Sequence, residues 1–291
     1  MTTASTKTAA WLPPLRRCRA GRVLRFLVLA AMTVLAGYPL LWMLFSALRE
    51  EGAVLAAPFA LPLSPTLKNF AAVLRTGAFG RAYLNSLLIT GGSVALAAAV
   101  AAMAAFAFSR LRLRGATLLF FIFLAGMMVP IHVTLIPLNR LLGPDGFGFK
   151  GTVWVLLGPY VGFALPVSIL ILRNAFDQVP DDLLDMARLD GCSDWGIFLH
   201  VALPLIRPAL ATVVIFNALT IWNEFAFALT LITEQADWTV PLALWRFKGE
   251  HGMFVARTCA ALAVTVVPLL VLYVLAQRHI IRGLTAGAVK E

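Results

Sequence analysis

The chain has 291 residues, of which 60% are apolar and only 13% are charged, and its mean hydropathy is +0.87. Soluble domains carry roughly 45–50% apolar and about 25% charged residues, so this composition excludes an ordinary soluble protein and favours a polytopic membrane protein. The net charge of +10 is then expected to reflect membrane topology, with no nucleic-acid partner.

The first long apolar run covers residues 23–48 and follows a basic cluster at residues 16–25. Its length of about 25 residues exceeds the 7–15 residues of a signal-peptide core, and further hydrophobic segments follow it. We therefore expect an uncleaved first transmembrane helix.

Five later segments are nearly free of charge and long enough, at about 20–25 residues, to cross a bilayer. They cover residues 84–108, 116–138, 152–172, 209–232 and 254–277. The second span is rich in Ala and Gly, which let helix backbones approach closely, so we expect it to pack inside a bundle. The third, fourth and sixth spans contain prolines within their apolar runs, and both a role in a transport path and an inert role stay open for them.

The short turn 109–115 gives the strongest topological signal, because it carries Arg110, Arg112 and Arg114. With the N-terminus inside, the inner segments hold most of the basic residues, and the positive-inside rule then predicts that both termini are cytoplasmic. Neither a repeat nor a flexible linker is visible. The sequence therefore predicts an all-α integral membrane protein, with six spans in one domain over residues 1–291.

A polar stretch at residues 173–207 separates the fourth span from the fifth. It contains Asp177, Asp181, Asp182, Asp185, Asp190 and Asp194 among the chain's 14 acidic residues. Pro180 and the acids after it predict the start of a helix that runs to Leu189 and stops at Asp190-Gly191. Ser193 is expected to cap a second helix.

Apolar residues within this polar stretch favour a docking surface over a plain solvated loop. We expect Leu183, Leu184, Met186 and Leu189 to be exposed beside charged residues, as is typical of a surface that binds another protein. Ile197, Phe198 and Val201 give the second helix an apolar face, and Pro204 and Pro208 close the stretch.

The same stretch resembles the cytoplasmic loop of the membrane subunits of ATP-binding-cassette (ABC) importers. That loop reads E-A-A, three residues, G, nine residues, I, one residue, L-P. Asp185, Met186 and Ala187 stand at the E-A-A positions, followed by Gly191, and Val201, Leu203 and Pro204 complete the match. Asp185, Met186 and Val201 depart from the motif, and Asp185 keeps the charge on a shorter side chain.

The wider pattern resembles the carbohydrate-uptake branch of these permeases, in particular the maltose-type subunit with a short N-terminus. The matching pieces are Asn85-Ser86, residues 187–191, residues 203–205, residues 222–225 with Ala228-Leu229, and the tail 283–290. The resemblance implies the type I ABC importer permease fold, with a coupling helix between the fourth and fifth spans.

The resemblance also implies the partners of the chain in the cytoplasmic (inner) membrane. They are a second homologous permease subunit, two ATP-binding-cassette ATPase subunits that carry ATP and Mg, and an external substrate-binding protein that delivers a sugar. The chain itself contains no GxxxxGK[ST] phosphate loop, so we expect it to bind no cofactor and to be no enzyme.

Within this resemblance, the coupling residues receive separate roles. Asp185 is assigned a charge contact with an arginine of the ATPase. Ala187 and Gly191 permit close approach and the helix turn, Asp190 caps locally, and Leu203 with Pro204 fixes where the chain re-enters the membrane. The competing interpretation makes Asp185 a helix-terminal carboxylate without a partner.

The substrate path is assigned to Asn217, Trp222, Asn223, Glu224 and Phe225. Glu224 is the carboxylate placed inside a span, where an ionisable group costs about 2.5–3.5 kcal/mol. The asparagines suit sugar hydroxyls and the aromatic rings suit a pyranose face. The alternative places Trp222 in the interfacial aromatic belt and bonds Asn223 and Glu224 to neighbouring helices.

Other chemistries find little support in the sequence. Cys18, Cys192 and Cys259 are scattered, which gives neither a disulfide framework nor a metal site, and no catalytic set of residues is visible. An ion-coupled secondary transporter of a small polar solute is the alternative function. It needs several intramembrane carboxylates or an inverted repeat.

Overall fold

The computed structural model describes residues 19–111, 113–144, 146–245, 248–249 and 252–288. Cys18, the basic residues at 16 and 17, Arg112 and the tail positions 289 and 290 lie outside the described residues, so the predictions that fall on them are not compared with the structure.

The described part of the chain is almost entirely helical, and the all-α prediction is confirmed. Its helices are α1 (Arg19–Ala47), α2 (Glu51–Ala56), α3 (Lys68–Arg75), α4 (Gly77–Arg110), α5 (Ala116–Gly126), α6 (Ile131–Leu142), α7 (Leu157–Asp177), α8 (Asp181–Leu189), α9 (Asp194–Ile197), α10 (Leu203–Leu205), α11 (Arg207–Trp222), α12 (Ala226–Leu231), α13 (Val240–Trp245) and α14 (Val255–Ala288). Short 3-10 turns at Val153–Leu156 and Gln235–Asp237 and a π-helical turn at Phe198–Ala202 connect some of them. A minimal antiparallel ladder pairs β1 (Lys248–Gly249) with β2 (Gly252–Met253).

Within the described ranges, four continuous helical segments are long and apolar enough to cross a membrane. They are Val23–Ala47, Gly77–Arg110, Val153–Asp177 and Val255–Leu275, and they correspond to the predicted first, second, fourth and sixth spans. The number rises to six if each of two bent helix pairs counts as one span.

The predicted third span at residues 116–138 corresponds to a bent pair of helices, α5 and α6, with an angle of 96° between them. The last turn of α5 tightens, since Met127, Met128 and Val129 each bond to the carbonyl three residues earlier. Pro130 then follows. It has no N–H for a helical bond and disfavours the helical conformation in the residue before it.

The predicted fifth span at residues 209–232 is also interrupted. The segment Asp194–Leu205 meets α11 at 79°, and α11 ends at Trp222. Residues 223–225 are not helical, and α12 begins at Ala226. The predicted continuous helix is therefore wrong beyond residue 222.

Helix α4 lies at the centre of the bundle, as its small residues predicted. Its buried face carries Ala97, Ala98, Ala101, Ala102 and Ala105, and along this face α4 makes its most extensive contact, with α7. Small side chains allow the two backbones to approach closely. At one end of α4, which we call the α8 end, Phe106 joins a core shared with α7 and α8. At the other end, Phe79 joins a core shared with α1, α3 and α14.

Candidate functional site

Helix α8 begins directly after Pro180, as predicted, with Asp181 and Asp182 in its first turn. Leu184 and Ala187 lie on its inner face and are buried against α4 and α7. Met186 and Leu189 lie on the outer face with exposed fractions of 62% and 88%, and Leu183 is also exposed. The prediction that Leu184 is exposed is wrong. Leu184 lies one helical turn before Ala187, so both side chains lie on the same face of α8, and that face packs on the core.

The end of α8 is fixed by its glycine. Gly191 has φ of +83°, the left-handed conformation that glycine adopts without a steric penalty. Its N–H donates to the carbonyl of Arg188, and the N–H of Cys192 donates to the carbonyl of Ala187, both at 3.0 Å. This pair of bonds is a Schellman motif. Asp190 occupies the C-cap position with an exposed side chain.

Asp185 lies on the exposed side of α8. Its carboxylate accepts a hydrogen bond of 2.6 Å from the Arg188 guanidinium, one turn later on the same helix. Both side chains are largely exposed, and such surface ion pairs contribute little to stability. Asp185 therefore has a partner on its own helix, and that pair opens at low cost.

The chain after α8 returns to the apolar core in a short helical segment. Ser193 caps α9 as predicted, because its hydroxyl accepts the N–H of Gly196 at 3.2 Å. Ile197 and Phe198 are buried in the core of the α8 end. Leu203 packs partly against the same core, and the 79° bend follows Pro204. The residues that were expected to set the re-entry point thus lie directly before the bend.

Two polar bridges connect α7 to the fifth span. Asn217 of α11 is buried and donates to the hydroxyl of Ser168 at 2.9 Å. The hydroxyl of Tyr160 donates to Oε2 of Glu224 at 3.0 Å. Tyr160 and Ser168 are about 12 Å apart along α7. The bridges therefore hold the two helices together at two different depths.

Glu224 also caps the helix that follows it. Its Oε1 accepts the N–H of Phe227 at 2.9 Å, and its Oε2 is 3.4 Å from the N–H of Ala228. These N–H groups belong to the first turn of α12, where the helix dipole favours a negative charge. This contact explains how the fifth span restarts after the break.

The remaining residues assigned to the path differ in their exposure. Trp222 is buried and meets the ring of Tyr83 edge-on at a centroid distance of 5.8 Å, so its ring packs within the protein. The amide of Asn223 is exposed, and its nitrogen donates to the carbonyl of Leu219. The ring of Phe225 is half-buried and lies 5.9 Å from the ring of Trp245.

The structure brings together Glu224 with Tyr160 and Asn217 with Ser168, and sequence reasoning missed both partners. The available signal was their polarity, since Tyr160 and Ser168 interrupt an otherwise apolar span. Among the described residues, no group of three or more His, Cys, Asp and Glu side chains is placed to hold a metal ion.

Comparison with known sequences finds similarity to the membrane components of transport systems. The family described as "Binding-protein-dependent transport system inner membrane component" matches residues 95–286. A putative ABC transporter permease protein of Caldicellulosiruptor sp. is 40% identical over 266 residues, which cover 91% of this chain and 96% of the relative. A diacetylchitobiose uptake system permease protein of Streptomyces coelicolor is 33% identical over 262 residues, which cover 89% of this chain and 86% of the relative.

Comparison with solved structures shows the same fold. One chain of a bacterial ABC transporter involved in the import of the acidic polysaccharide alginate superimposes with a TM-score of 0.80. The match covers 93% of this chain and 100% of that chain, at 21% sequence identity. At this identity the likeness supports the fold, and the substrate of that transporter is not carried over.

Proposed function

The chain belongs to the family of binding-protein-dependent transport system inner membrane components, and from this premise we propose that it is the permease subunit of an ATP-driven sugar or oligosaccharide importer. The diacetylchitobiose permease supports a carbohydrate as the substrate class. The chain supplies the membrane path, and ATP with Mg is bound and hydrolysed by partner subunits.

The geometry of α8 is the observation that carries this proposal. A short helix with one buried face presents Leu183, Met186 and Leu189 outward beside the exposed Asp185–Arg188 pair. Apolar side chains next to charged groups form a surface suited to bind another protein. Helix α8 is the coupling helix, and its partner is an ATPase subunit.

The assembly then needs two permease subunits, each with its own coupling helix. A second homologous permease completes the path and brings its own coupling helix, and the two helices bind two ATPase subunits. An external binding protein delivers the sugar at the opposite membrane face. With the arginine-rich turn at 109–115 inside, the α8 end and both termini are cytoplasmic.

The substrate path passes the break at residues 223–225. The exposed amide of Asn223 and the half-buried ring of Phe225 suit sugar hydroxyls and a sugar face. Asn217, Trp222 and Glu224 form the wall behind them, because their side chains are held by Ser168, Tyr83 and Tyr160.

The alternative of an ion-coupled secondary transporter is disfavoured by Glu224. Its carboxylate caps α12 and bonds to Tyr160, so its contacts already have a structural role. A carboxylate that binds and releases a coupling proton needs to give up such contacts in each cycle.

Affinity purification of the tagged chain from its native membrane tests the proposal. We expect a second permease and an ATPase to copurify, and the complex in proteoliposomes to take up a labelled oligosaccharide only with ATP and the external binding protein. The proposal is wrong if the purified chain alone accumulates solute along a proton or sodium gradient.

A further inference from the structure

Arg110, the last residue of α4, is buried although it carries a permanent charge. Only 9% of its side chain is exposed. Its guanidinium forms an ion pair with Asp181, the first residue of α8, and donates to two backbone carbonyls, those of Phe176 and Val179. The distance from Nη2 to the Val179 oxygen is 2.5 Å.

These contacts complement the ends of two helices. Phe176 lies in the last turn of α7 and Val179 lies two residues after its end, where the helix dipole favours a cation. Asp181 lies at the N-terminal end of α8, where the dipole favours an anion. One planar guanidinium therefore joins the ends of α4, α7 and α8, and its rigid fork of donors holds the acceptors in a fixed geometry that the flexible ammonium of a lysine does not impose.

Neighbouring contacts stiffen the same meeting point of α4, α7 and α8, which we call the joint. Ser109 donates to the Asp177 carboxylate at 2.5 Å, which ties α4 to α7 a second time. The rings of Phe106, Phe176 and Phe198 meet one another at centroid distances between 5.2 and 6.4 Å. Leu184 of α8 packs into the same core, so α8 rests on a close-packed base.

The covalent connection between α7 and α8 is by contrast short and lacks helical structure. It consists of Gln178, Val179 and Pro180. A link of this kind acts as a hinge unless other contacts fix the angle between the helices, and Arg110 binds on both sides of it, at Phe176 and at Asp181.

We propose that Arg110 is the positioning residue that locks α8 to the α4–α7 pair, so that a displacement of α8 moves both spans as one body. The inference rests on the proposed function, in which a partner ATPase displaces α8. Only the Arg110 side of this ion pair is buried, and a buried charge is not needed for stability alone, since apolar side chains of similar volume often serve as well. The contacts of Arg110 instead fix one angle at a joint that transmits force.

Spin labels test the joint directly in the assembled complex. Spin labels on Met103→Cys of α4 and on the native Cys192, which directly follows α8, report the distance across the joint in a background without Cys18 and Cys259. Both labelled positions are exposed, and neither belongs to the proposed ATPase-binding surface. We expect a narrow distance distribution in the parent chain, with and without ATP, and a broad one in Arg110→Met. An unchanged distribution in Arg110→Met overturns the proposal, whether or not the complex transports a sugar.

Transport assays add a functional readout with a matched control. In complexes that still contain the ATPase, we expect Arg110→Met to lower binding-protein-stimulated ATP hydrolysis and uptake about tenfold, while basal hydrolysis is retained. Arg114→Met removes the same charge from an exposed position in the same turn and is expected to have no effect. Equal activity of the two variants overturns the inference.

Asp181→Asn keeps the inference testable if Arg110→Met does not fold. Asp181 is largely exposed, so its loss does not leave a cavity, and we expect an intermediate broadening of the distance distribution. An unchanged distance distribution in Asp181→Asn overturns the role of the ion pair. A parent complex that shows no ATP-dependent uptake contradicts the proposed function. The spin-label distances then still test whether Arg110 locks α8 to α4 and α7.

Discussion

Tyr160 and Glu224 are joined by a hydrogen bond of 3.0 Å although 64 positions separate them in the sequence. The same carboxylate accepts N–H groups from the first turn of α12. One side chain thus fixes the fourth span to the break in the fifth and restarts the helix beyond it. The favourable field of a helix N-terminus offsets part of the cost of placing a carboxylate within a span.

Substitution of Glu224 is expected to weaken this junction. Glu224→Ala leaves the Tyr160 hydroxyl without its partner and α12 without its cap, which costs about 2–4 kcal/mol in the free energy of unfolding. Tyr160→Phe loses one bond and costs about 1 kcal/mol. Unfolding in detergent measures both, and the double variant should lose less than the sum of the two. Strict additivity contradicts a coupled pair.

Gly191→Ala tests the end of α8. No neighbouring atom lies within 4 Å of the added methyl group, so the cost comes from the backbone at φ of +83° and amounts to about 1 kcal/mol. We expect lower ATPase coupling with normal membrane insertion, because the orientation of α8 changes. Gly196→Ala is the control, since Gly196 lies within the α9 helix and meets only Ser193 and Cys192 at ordinary contact distances. Equal coupling in both variants contradicts the role of Gly191.

Asp185→Ala tests the contact with the ATPase. Loss of a charge-assisted hydrogen bond costs about 1.5–3 kcal/mol, so the affinity of the complex for the ATPase subunit should fall tenfold or more. Asp182→Ala removes an equal charge from another exposed position of α8 and serves as the control. Copurification and sugar uptake measure the effect. Normal copurification and normal sugar uptake in Asp185→Ala contradict a contact between Asp185 and the ATPase and leave Arg188 as its partner.

Glu51→Ala is expected to destabilise the last span at the end opposite α8. The Glu51 carboxylate accepts the N–H groups of Val255 and Ala256 at 2.6 and 2.9 Å, and these groups begin α14. Loss of such a cap costs about 1 kcal/mol. Glu50→Ala removes the neighbouring carboxylate from an exposed pair with Lys68 and should change the unfolding midpoint little. Equal shifts in both variants contradict the capping role.

Local signals predicted the helical segment between the fourth and fifth spans well. Pro180 marked its start, Gly191 its first stop and Ser193 the next cap, and all three predictions are confirmed. Each of these signals acts within a few residues of the backbone it controls. The same reasoning failed at Leu184, because whether a residue faces the core depends on how the helix is rotated against α4 and α7.

The bend in the third span and the break in the fifth lie beyond what hydropathy determines. Hydropathy averages over a window of about 20 residues and does not register a break within it. Pro130 gave a visible warning in the third span. The break after Trp222 follows instead from Glu224, whose carboxylate bonds both to Tyr160 and to the start of α12.

The sequence by itself determined that the chain is a helical membrane protein with an acidic, partly apolar segment between two spans, because composition and short-range backbone preferences suffice for both. Only the tertiary structure decided which polar groups meet: Arg110 with Asp181, Ser168 with Asn217, and Tyr160 with Glu224. These pairs depend on the tilt and rotation of whole helices. Packing between the helices sets those quantities, and no local pattern encodes them.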